Sequence, residues 1–407
     1  MKAGWQIKKL GEICEIERGG SPRPIQNFIT TDAKGINWIK IGDATASGKH
    51  IYRTEEKIKP EGVKRSRMVY EGDFILSNSM SFGRPYIMRT SGCIHDGWLV
   101  LRQPKVDPDY LYYVLSSDLV FNQFDQLAAG STVRNLNIGL AKSVEIPYPP
   151  LAEQRRIVGI LDEAFEGITA AKANAEKNLQ NAHALFESHL QSTFAQGGPG
   201  WVKATIGETC TLKSGTTVSP TLEVPAGDIP YLKVADMTFD GSGDGVRTSS
   251  RFLNKADVKH TAIIPKGATI FPKRGGAILT NKKRITLVPI CADLNIMAVL
   301  PSARIEPELL YFYFLHVDMR KLGTGSSIPQ INNYDIAPLS ISFPDSSREQ
   351  RTIIRKLEEL RAATAHLARL YERKVEALEA LKKSLLHQAF IGELTAQPEQ
   401  LLEEGAA

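Results

Sequence analysis

The sequence has few cysteines and no long apolar run. None of the four cysteines, Cys14, Cys93, Cys210 and Cys291, forms a CxxC pair. This spacing excludes a zinc ribbon and a disulfide framework, and it indicates small core residues. The sequence has no stretch of 18 apolar residues and no apolar region of a signal peptide near Met1. We therefore expect a cytoplasmic protein.

Sequence motifs of amine methyl transfer, nucleotide hydrolysis and metal binding are also missing. The amine methyltransferase signature, Asn or Asp followed by Pro-Pro and an aromatic residue, does not occur, because Pro147-Tyr148-Pro149-Pro150 has the wrong order. No GxxxxGK[ST] phosphate loop is present, which argues against ATP hydrolysis by this chain. His95, Asp96 and His260 lack partners at metal-ligand spacing. The sequence therefore predicts a noncatalytic protein without a metal site.

What is present is an ordinary globular composition with a small, unevenly placed positive charge. A chain of 407 residues, 42% apolar and 23% charged, is long enough for two or three domains. The net charge is +5, and the excess lies in residues 1–150 (20 basic, 16 acidic) and 198–345 (16 basic, 13 acidic). Two mildly basic blocks are thus separated by stretches without positive excess.

The chain is an internal duplication with an offset close to 196 residues. WQIKKLGEIC near the start returns as WVKATIGETC, INWIKIGDAT returns as IPYLKVADMT, and DPDYLYYVL returns as EPELLYFYFL. The triplet Glu153-Gln154-Arg155 matches Glu349-Gln350-Arg351, again at 196. A colinear series of this kind indicates two copies of one structural unit.

Each copy divides into two parts with different periodicity. Residues 1–150 and 198–345 contain short apolar or alternating runs between Gly, Pro, Ser and Asn, which predicts mixed strands and loops. Residues 151–197 and most of 346–407 lack internal proline, which predicts one long helix in each segment. A helix of about 40 residues would be roughly 60 Å long. The expected domains are therefore 1–150, 151–197, 198–345 and 346–407.

The apolar positions of both helices alternate four and three apart, as a coiled-coil seam requires. The predicted seam of the first helix is Ile157, Leu161, Ala164, Ile168, Ala171, Ala175, Asn178, Ala182, Leu185 and His189. The second seam lies 196 residues on, at Ile353, Leu357, Leu360, Thr364, Leu367, Tyr371, Lys374, Leu378, Leu381 and Leu385. Asn178 and Lys374 interrupt the two seams at the same repeat position and suggest a register device. Amphipathic helices that cover their own blocks are the alternative.

Two basic blocks held apart by paired helices suit duplex DNA. A duplicated chain has a pseudo-twofold axis, and antiparallel helices would fix the distance between its blocks. Half-sites about one helical turn apart, roughly 34 Å, are a target that matches such a ruler. Because the loops of the two copies differ, the blocks would read different sequences.

The chain resembles the DNA-specificity subunit of type I restriction-modification enzymes. The resemblance rests on AGSTVRNLNIGLAKSVEIPYPPLAEQRRIVGILDE and its repeat TGSSIPQINNYDIAPLSISFPDSSREQRTIIRKLEE, and it covers nearly the whole chain. The second copy departs from the pattern, with Pro344-Asp345-Ser346-Ser347 in place of Pro149-Pro150-Leu151-Ala152. The second helix could therefore leave its block at a different angle.

The resemblance implies an α+β fold with two mixed α/β target recognition domains, separated by two long antiparallel coiled-coil helices. Each domain would read one half of a bipartite, asymmetric site in double-stranded DNA. The helices would set the spacing and dock two modification subunits, which carry S-adenosylmethionine. Restriction subunits would supply ATP-driven and magnesium-dependent cleavage. This chain itself would hold no cofactor.

Loop residues with hydrogen-bonding or cationic side chains are the candidate DNA contacts, because base edges and phosphates are read by such groups. The cluster 282–284 also favours phosphate contact through counterion release. The candidates in the first block are Arg18, Arg23, Asn78, Ser79, Arg84, Ser131, Thr132 and Arg134. Those in the second are Lys273, Arg274, Lys282, Lys283, Arg284, Ser326, Ser327 and Gln330. Solvated turns and hairpins are the alternative interpretation for each of these loops.

Two other functions remain open at this stage. A scaffold with duplicated protein-binding blocks and a dimerising coiled coil would show the same repeat. A self-sufficient nuclease or methyltransferase with a diverged motif is a further alternative.

Overall fold

The computed structural model describes residues 4–78, 83–128, 136–238, 243–323 and 328–396. The chain forms two compact units that do not follow the repeat boundary. Unit 1 contains Met1–Ala175 together with Arg373–Ala407, and unit 2 contains Glu176–Glu372. Each unit therefore combines one block, the first part of the long helix that follows it, and the last part of the other long helix.

The first copy contains twelve strands and six α-helices in its described part. The strands are β1 (Gln6–Lys9), β2 (Glu15–Arg18), β3 (Ile29–Thr30), β4 (Ile36–Ile39), β5 (His50–Ile51), β6 (Glu56–Ile58), β7 (Arg67–Val69), β8 (Phe74–Ser77), β9 (Pro85–Met88), β10 (Gly92–Ile94), β11 (Trp98–Arg102) and β12 (Glu145–Tyr148). The helices are α1 (Leu10–Ile13), α2 (Ile41–Ser47), α3 (Pro108–Leu115), α4 (Asp118–Ala128), α5 (Ile138–Ser143) and α6 (Leu151–Gln196).

The second copy contains ten strands and four α-helices in its described part. The strands are β13 (Trp201–Thr205), β14 (Cys210–Ser214), β15 (Ile229–Leu232), β16 (Gly245–Val246), β17 (Phe252–Leu253), β18 (Thr269–Pro272), β19 (Arg284–Thr286), β20 (Cys291–Ala292), β21 (Ile296–Pro301) and β22 (Ser340–Pro344). The helices are α7 (Ile206–Thr209), α8 (Pro307–His316), α9 (Asn333–Ile336) and α10 (Ser347–Ile391).

The main sheet is the same in both copies, strand for strand. Its order is β2-β11-β8-β9-β5 in the first copy and β14-β21-β18-β19-β16 in the second. In each copy the last pair is parallel and the other pairs are antiparallel. The apolar runs of β8 and β18 are buried along their whole length, as expected for strands covered on both faces.

A second sheet and a short strand pair complete each block. The second sheet has the order β3-β6-β4-β10-β7 in the first copy and β17-β15-β20 in the second. The antiparallel pairs β1-β12 and β13-β22 join the beginning of each block to the strand before its long helix. The predicted fold class, α+β with two mixed blocks and two long helices, is confirmed.

Within unit 1, the beginning of α6 and the end of α10 run antiparallel. The ammonium of Lys382 lies 4.9 Å from the ring centroid of Phe165, and Lys172 forms an ion pair with Glu379 at 2.5 Å. Residue numbers thus rise on one helix as they fall on the other. Phe390 at the end of α10 joins the core of the first block.

Within unit 2, the end of α6 and the beginning of α10 share one core. Leu190 and Phe194 from α6 lie in the same buried cluster as Ile354 and Leu357 from α10. These residues pack on α8, the aromatic helix of the second block. The two units therefore combine helix ends in the same way.

The predicted seam is correct in the first half of α6 and wrong near its end. Leu185 is 52% exposed, and His189 is also exposed. Ala182 is buried as predicted, but beyond it the buried positions are Leu190 and Phe194. Near the end of α6 the buried residues are spaced by multiples of four, and the alternation of four and three stops. A heptad pattern continued from the first half of the helix therefore selects residues on the exposed face.

The second seam shows the same kind of shift. Leu367 and Lys374 are exposed, whereas Ala368 and Leu386 are buried. Lys374 therefore does not interrupt the seam, and the predicted register device is not formed by this residue.

A buried glutamine ties each long helix to its block. Gln154 accepts a hydrogen bond from the Asp107 backbone N–H (2.7 Å) and donates one to the Pro149 carbonyl (2.9 Å). Gln350 makes the corresponding bonds with Glu306 (2.8 Å) and Pro344 (2.8 Å). The second helix therefore keeps this attachment, although the sequence before it differs.

Replacing Gln154 with alanine should lower the free energy of unfolding by about 2–4 kcal/mol, because a buried N–H and a buried carbonyl would lose their partners. We expect a similar loss for Gln350→Ala, since both side chains are buried. Urea unfolding followed by circular dichroism measures the change. Gln191→Ala, at an exposed position of α6, is the matched control. A loss below about 1 kcal/mol would show that water replaces these bonds.

Candidate nucleic-acid interface

The loop ends of the first block meet in a rim formed by residues 18–23, 78 and 95–97, here called the first rim. Backbone bonds hold it together: the Gly19 N–H donates to the Trp98 carbonyl at 2.9 Å, and the Asn78 N–H donates to the Gly97 carbonyl at 3.0 Å. The Leu136 N–H donates to the Asn78 carbonyl at 3.1 Å. Four segments distant in sequence are thus fixed to one another.

Asp96 is the centre of polar contacts in the first rim. Its carboxylate accepts hydrogen bonds from the Ser21 hydroxyl (2.7 Å) and the Arg23 guanidinium (3.1 Å). Its carbonyl accepts from Arg18 Nε (3.1 Å) and Asn78 Nδ2 (2.9 Å). The Ser21 hydrogen bond, together with the charge of Arg23, holds the pKa of Asp96 below its ordinary value. The structure thus brings together the predicted residues Arg18, Arg23 and Asn78.

These three residues differ in what they offer to a ligand. The Arg23 side chain is 79% exposed, and Arg18 is also exposed, so both guanidinium groups are accessible to a phosphate or a base edge. Asn78 is only 1% exposed, and its amide is held by Asp96. The sequence predicts that Asn78 contacts DNA, but its side chain is buried and fixes the loop.

The second block builds an equivalent rim from residues 214–216, 273, 293–295 and 330, here called the second rim. The Gly215 N–H donates to the Ile296 carbonyl at 3.0 Å, and the Lys273 N–H donates to the Asn295 carbonyl at 2.8 Å. The Ile331 N–H donates to the Lys273 carbonyl at 2.9 Å. Bond for bond, this repeats the frame of the first rim, and Lys273 occupies the place of Asn78.

The side chains on this common frame differ from those of the first rim. Lys273 is half-buried and its ammonium donates to Ser214 Oγ at 2.8 Å. Burial, followed by the nearby Arg274 charge, lowers the pKa of Lys273. Arg274 is exposed and forms a backbone bridge with Gln330. The predicted residues Lys273, Arg274 and Gln330 therefore lie together.

Two glycines make the close approach in both rims possible. A Cβ atom on Gly19 would lie 2.0 Å from the His95 carbonyl oxygen, and one on Gly215 would lie 2.0 Å from the Asp293 carbonyl oxygen. Neither distance is compatible with a side chain. The two glycines are 196 residues apart, so the repeat preserves this contact.

The basic cluster 282–284 is divided by the fold. Lys283 is 3% exposed, and its ammonium donates to Asn281 Oδ1 (2.8 Å) and the Val317 carbonyl (2.7 Å). Burial lowers the pKa of Lys283 to about 8. Arg284 donates to the Met237 carbonyl at 3.0 Å. The expected phosphate contact is therefore not available to Lys283, and Lys282 and Arg284 are the partly exposed cations of the cluster.

Arg84 lies in a different place. It lines a cleft of about 720 Å³ with Tyr86, Tyr112, Phe165 and Lys382, where the block meets the helices of unit 1. None of these neighbours belongs to the first rim. The remaining candidates, Ser79, Ser131, Thr132, Arg134, Ser326 and Ser327, lie outside the described residues.

Sequence reasoning missed Ser21, Asp96 and Ser214. Their contacts depend on loops that meet only in the folded block. The available signal was the recurrence of glycine at 19 and 215, which marks a close backbone approach in both copies.

The described part of the chain contains no group of three or more His, Cys, Asp or Glu residues placed to hold a metal ion. None of its helices combines the length and apolar character needed to cross a membrane. What the rims offer is exposed guanidinium groups, an ammonium and a carboxylate on a fixed backbone. Arginine matches phosphate and guanine geometry, and carboxylates can accept from cytosine.

Comparison with known proteins identifies a family with this architecture. The model of the type I restriction modification DNA specificity domain matches twice, at residues 2–180 and 199–376. The MjaIX specificity subunit of Methanocaldococcus jannaschii is 24% identical, over 97% of this chain and 94% of the relative. The EcoKI specificity subunit of Escherichia coli K12 is also 24% identical, over 97% and 90%.

Solved structures share the fold. A chain from a study of complex assembly and conformational transition in a type I restriction-modification system superposes with a TM-score of 0.80, at 20% identity, covering 97% of this chain and 99% of that one. The HsdS subunit of Thermoanaerobacter tengcongensis gives a TM-score of 0.63, at 20% identity, covering 97% and 98%. The two matches of the family model fall on the two repeat copies, and the chain belongs to the type I restriction-modification DNA specificity family.

Proposed function

We propose that this chain is the noncatalytic specificity subunit of a type I system and acts on DNA in the cytoplasm. Each block reads one half of a bipartite, asymmetric site through its rim. The long helices set the distance between the half-sites and dock two modification subunits.

The observation that carries this proposal is the repeated rim. The same backbone bonds recur in both copies, but Arg18 and Asn78 of the first rim correspond to Ser214 and Lys273 of the second. A common frame with different side chains supports two readers with different sequence preferences. The exposed arginines Arg18, Arg23 and Arg274 supply the donors for direct contact with bases or phosphates.

Exposed leucines on the long helices support the docking of two identical partners. Leu185 is 52% exposed and Leu381 is 47% exposed. They are 196 residues apart, with Leu185 in unit 2 and Leu381 in unit 1. Apolar side chains exposed at the same repeat position of both units offer equivalent surfaces. S-adenosylmethionine would belong to the modification subunits, and ATP and magnesium to restriction subunits.

Selection from a random duplex pool, with the chain bound to its modification subunit, tests the proposal. We expect a split motif with a fixed spacer, because specific sites are bound about 10³–10⁷ times more tightly than random DNA. Exchanging residues 1–150 for the block of a related chain should change only one half of that motif. The modification subunit alone is the control and should enrich no motif.

A pool without any enriched motif, retained only at low salt, would contradict the proposal. Such nonspecific retention comes from phosphate contacts alone. It would favour the scaffold function that the sequence left open.

A further inference from the structure

An aromatic and cationic cluster lies where the two helices meet in unit 1. The rings of Tyr113 and Phe165 are 5.4 Å apart between centroids, with their planes at 78°. The Lys382 ammonium lies 4.9 Å from the Phe165 centroid. One aromatic residue comes from the block, one from α6, and the cation comes from α10.

Unit 2 contains a matching cluster. The rings of Phe186 and Phe312 are 6.3 Å apart between centroids, and the Arg361 guanidinium lies 5.4 Å from the Phe312 centroid. Phe312 corresponds to Tyr113 in the repeated α3 and α8 sequences. Again the block and α6 supply the aromatic rings, and α10 supplies the cation.

The repeat relation shows that the two clusters use exchanged positions. Phe165 and Arg361 are 196 residues apart, and so are Phe186 and Lys382. A position that is aromatic in α6 is therefore cationic in α10, at both contact points. Simple duplication would have given the same residue at each pair of positions.

An ion pair also favours the pairing of α6 with α10 over the pairing of like helices. Lys172 of α6 pairs with Glu379 of α10 at 2.5 Å in unit 1. Their repeat equivalents are Ala368 on α10 and His183 on α6. Two copies of α10 would place Ala368 opposite Glu379, and two copies of α6 would place Lys172 opposite His183, so either like pair would lose the ion pair.

We propose that these positions make the two long helices select each other and prevent α10 from pairing with a second copy of itself. In a pair of α10 helices, Arg361 would face Lys382 beside one aromatic ring. Two cations at that distance repel, whereas one cation on an aromatic face is attracted. The partner that fits α10 is thus a helix of the α6 type, in this chain or in a second copy. This inference does not depend on DNA binding.

Three full-length variants test the selection. The cation variant, Phe165→Arg with Phe186→Lys, gives α6 the side chains of α10. The aromatic variant, Arg361→Phe with Lys382→Phe, gives α10 the side chains of α6. The exchange variant carries all four substitutions and restores one ring and one cation at each contact point.

We expect the cation variant to unfold roughly 5–10 °C below the unmodified chain in dilute buffer. The exchange variant should recover at least half of this loss, and the aromatic variant should lose less than the cation variant. Part of the loss in the cation variant should disappear in 0.5 M NaCl, because salt screens repulsion between partly exposed charges. Far-ultraviolet circular dichroism during heating measures all three.

Arg361 also pairs with Asp244 of the second block, so a variant at this position breaks a second contact. Asp244→Asn in the unmodified chain measures that loss separately. The proposal is overturned if the exchange variant is as unstable as the cation variant, or if salt leaves the loss unchanged. Either result would mean that these side chains contribute only buried area and do not select a partner.

Discussion

Replacing Gly19 with alanine should abolish sequence discrimination at one half of the recognised site and leave the other half intact. The new Cβ would lie 2.0 Å from the His95 carbonyl oxygen, so the loop carrying Arg18 and Arg23 must move away from Asp96. Several base pairs at about 1–3 kcal/mol each depend on such a loop. We expect preference for the correct half-site to fall on the order of 100-fold or more.

The converse experiment uses Gly215→Ala, which disturbs only the second rim. Competition binding with duplexes altered in one half-site at a time measures both variants in complex with the modification subunit. Gly42→Ala is the matched control, because a Cβ there meets no atom within 4 Å. Loss of discrimination at both half-sites in a single-glycine variant would contradict the assignment of one rim to each half.

Shortening both long helices by four residues should shorten the spacer of the recognised site by about two base pairs. The matched segments are Glu176–Leu179 of α6 and Arg369–Glu372 of α10, chosen from the antiparallel numbering in unit 1. Four helical residues span about 6 Å, and base pairs are about 3.4 Å apart. Ala175 and Ala182 would then be three residues apart, so the seam keeps its alternation.

Selection from random duplexes again provides the measurement. Removing the four residues from α6 alone is the control, and it should impair folding because the partner helix keeps its full length. A doubly shortened chain that folds and selects the original spacer would show that the helices do not set the distance.

Much of the fold could be predicted from the sequence because the repeat made it visible twice. Paired matches such as Glu153-Gln154-Arg155 and Glu349-Gln350-Arg351 indicated the two copies, and the absence of proline indicated both long helices. The seam near Leu185 was wrong because a heptad rule was extended into a region with four-residue spacing. Which face of a helix is buried there depends on the aromatic helix α8, and local periodicity does not contain that information.

The sequence predicts where several candidate residues lie, but it does not predict which of their side chains are exposed and which are buried. Arg18 and Arg23 lie on the first rim and Arg274 lies beside the second, as loop chemistry suggested. Asn78 and Lys283 are buried, because carbonyl groups from loops distant in sequence accept their donors. These two carbonyl groups lie 18 and 34 residues away in sequence, so the sequence alone does not distinguish Asn78 and Lys283 from solvent-exposed side chains that could contact DNA. The DNA contacts themselves stay a prediction.

The composition of the two units determines the order in which the chain can be completed on the ribosome. Unit 2 is one uninterrupted stretch, Glu176–Glu372, whereas unit 1 requires the segment that begins at Arg373. Leu386, Ala389 and Phe390 enter the core of the first block, yet they are translated after the whole second block. The block that is synthesised first therefore completes its core last. Until the end of α10 is synthesised, the aromatic surface that Phe390 covers is exposed, and chaperones or premature contacts could occupy it.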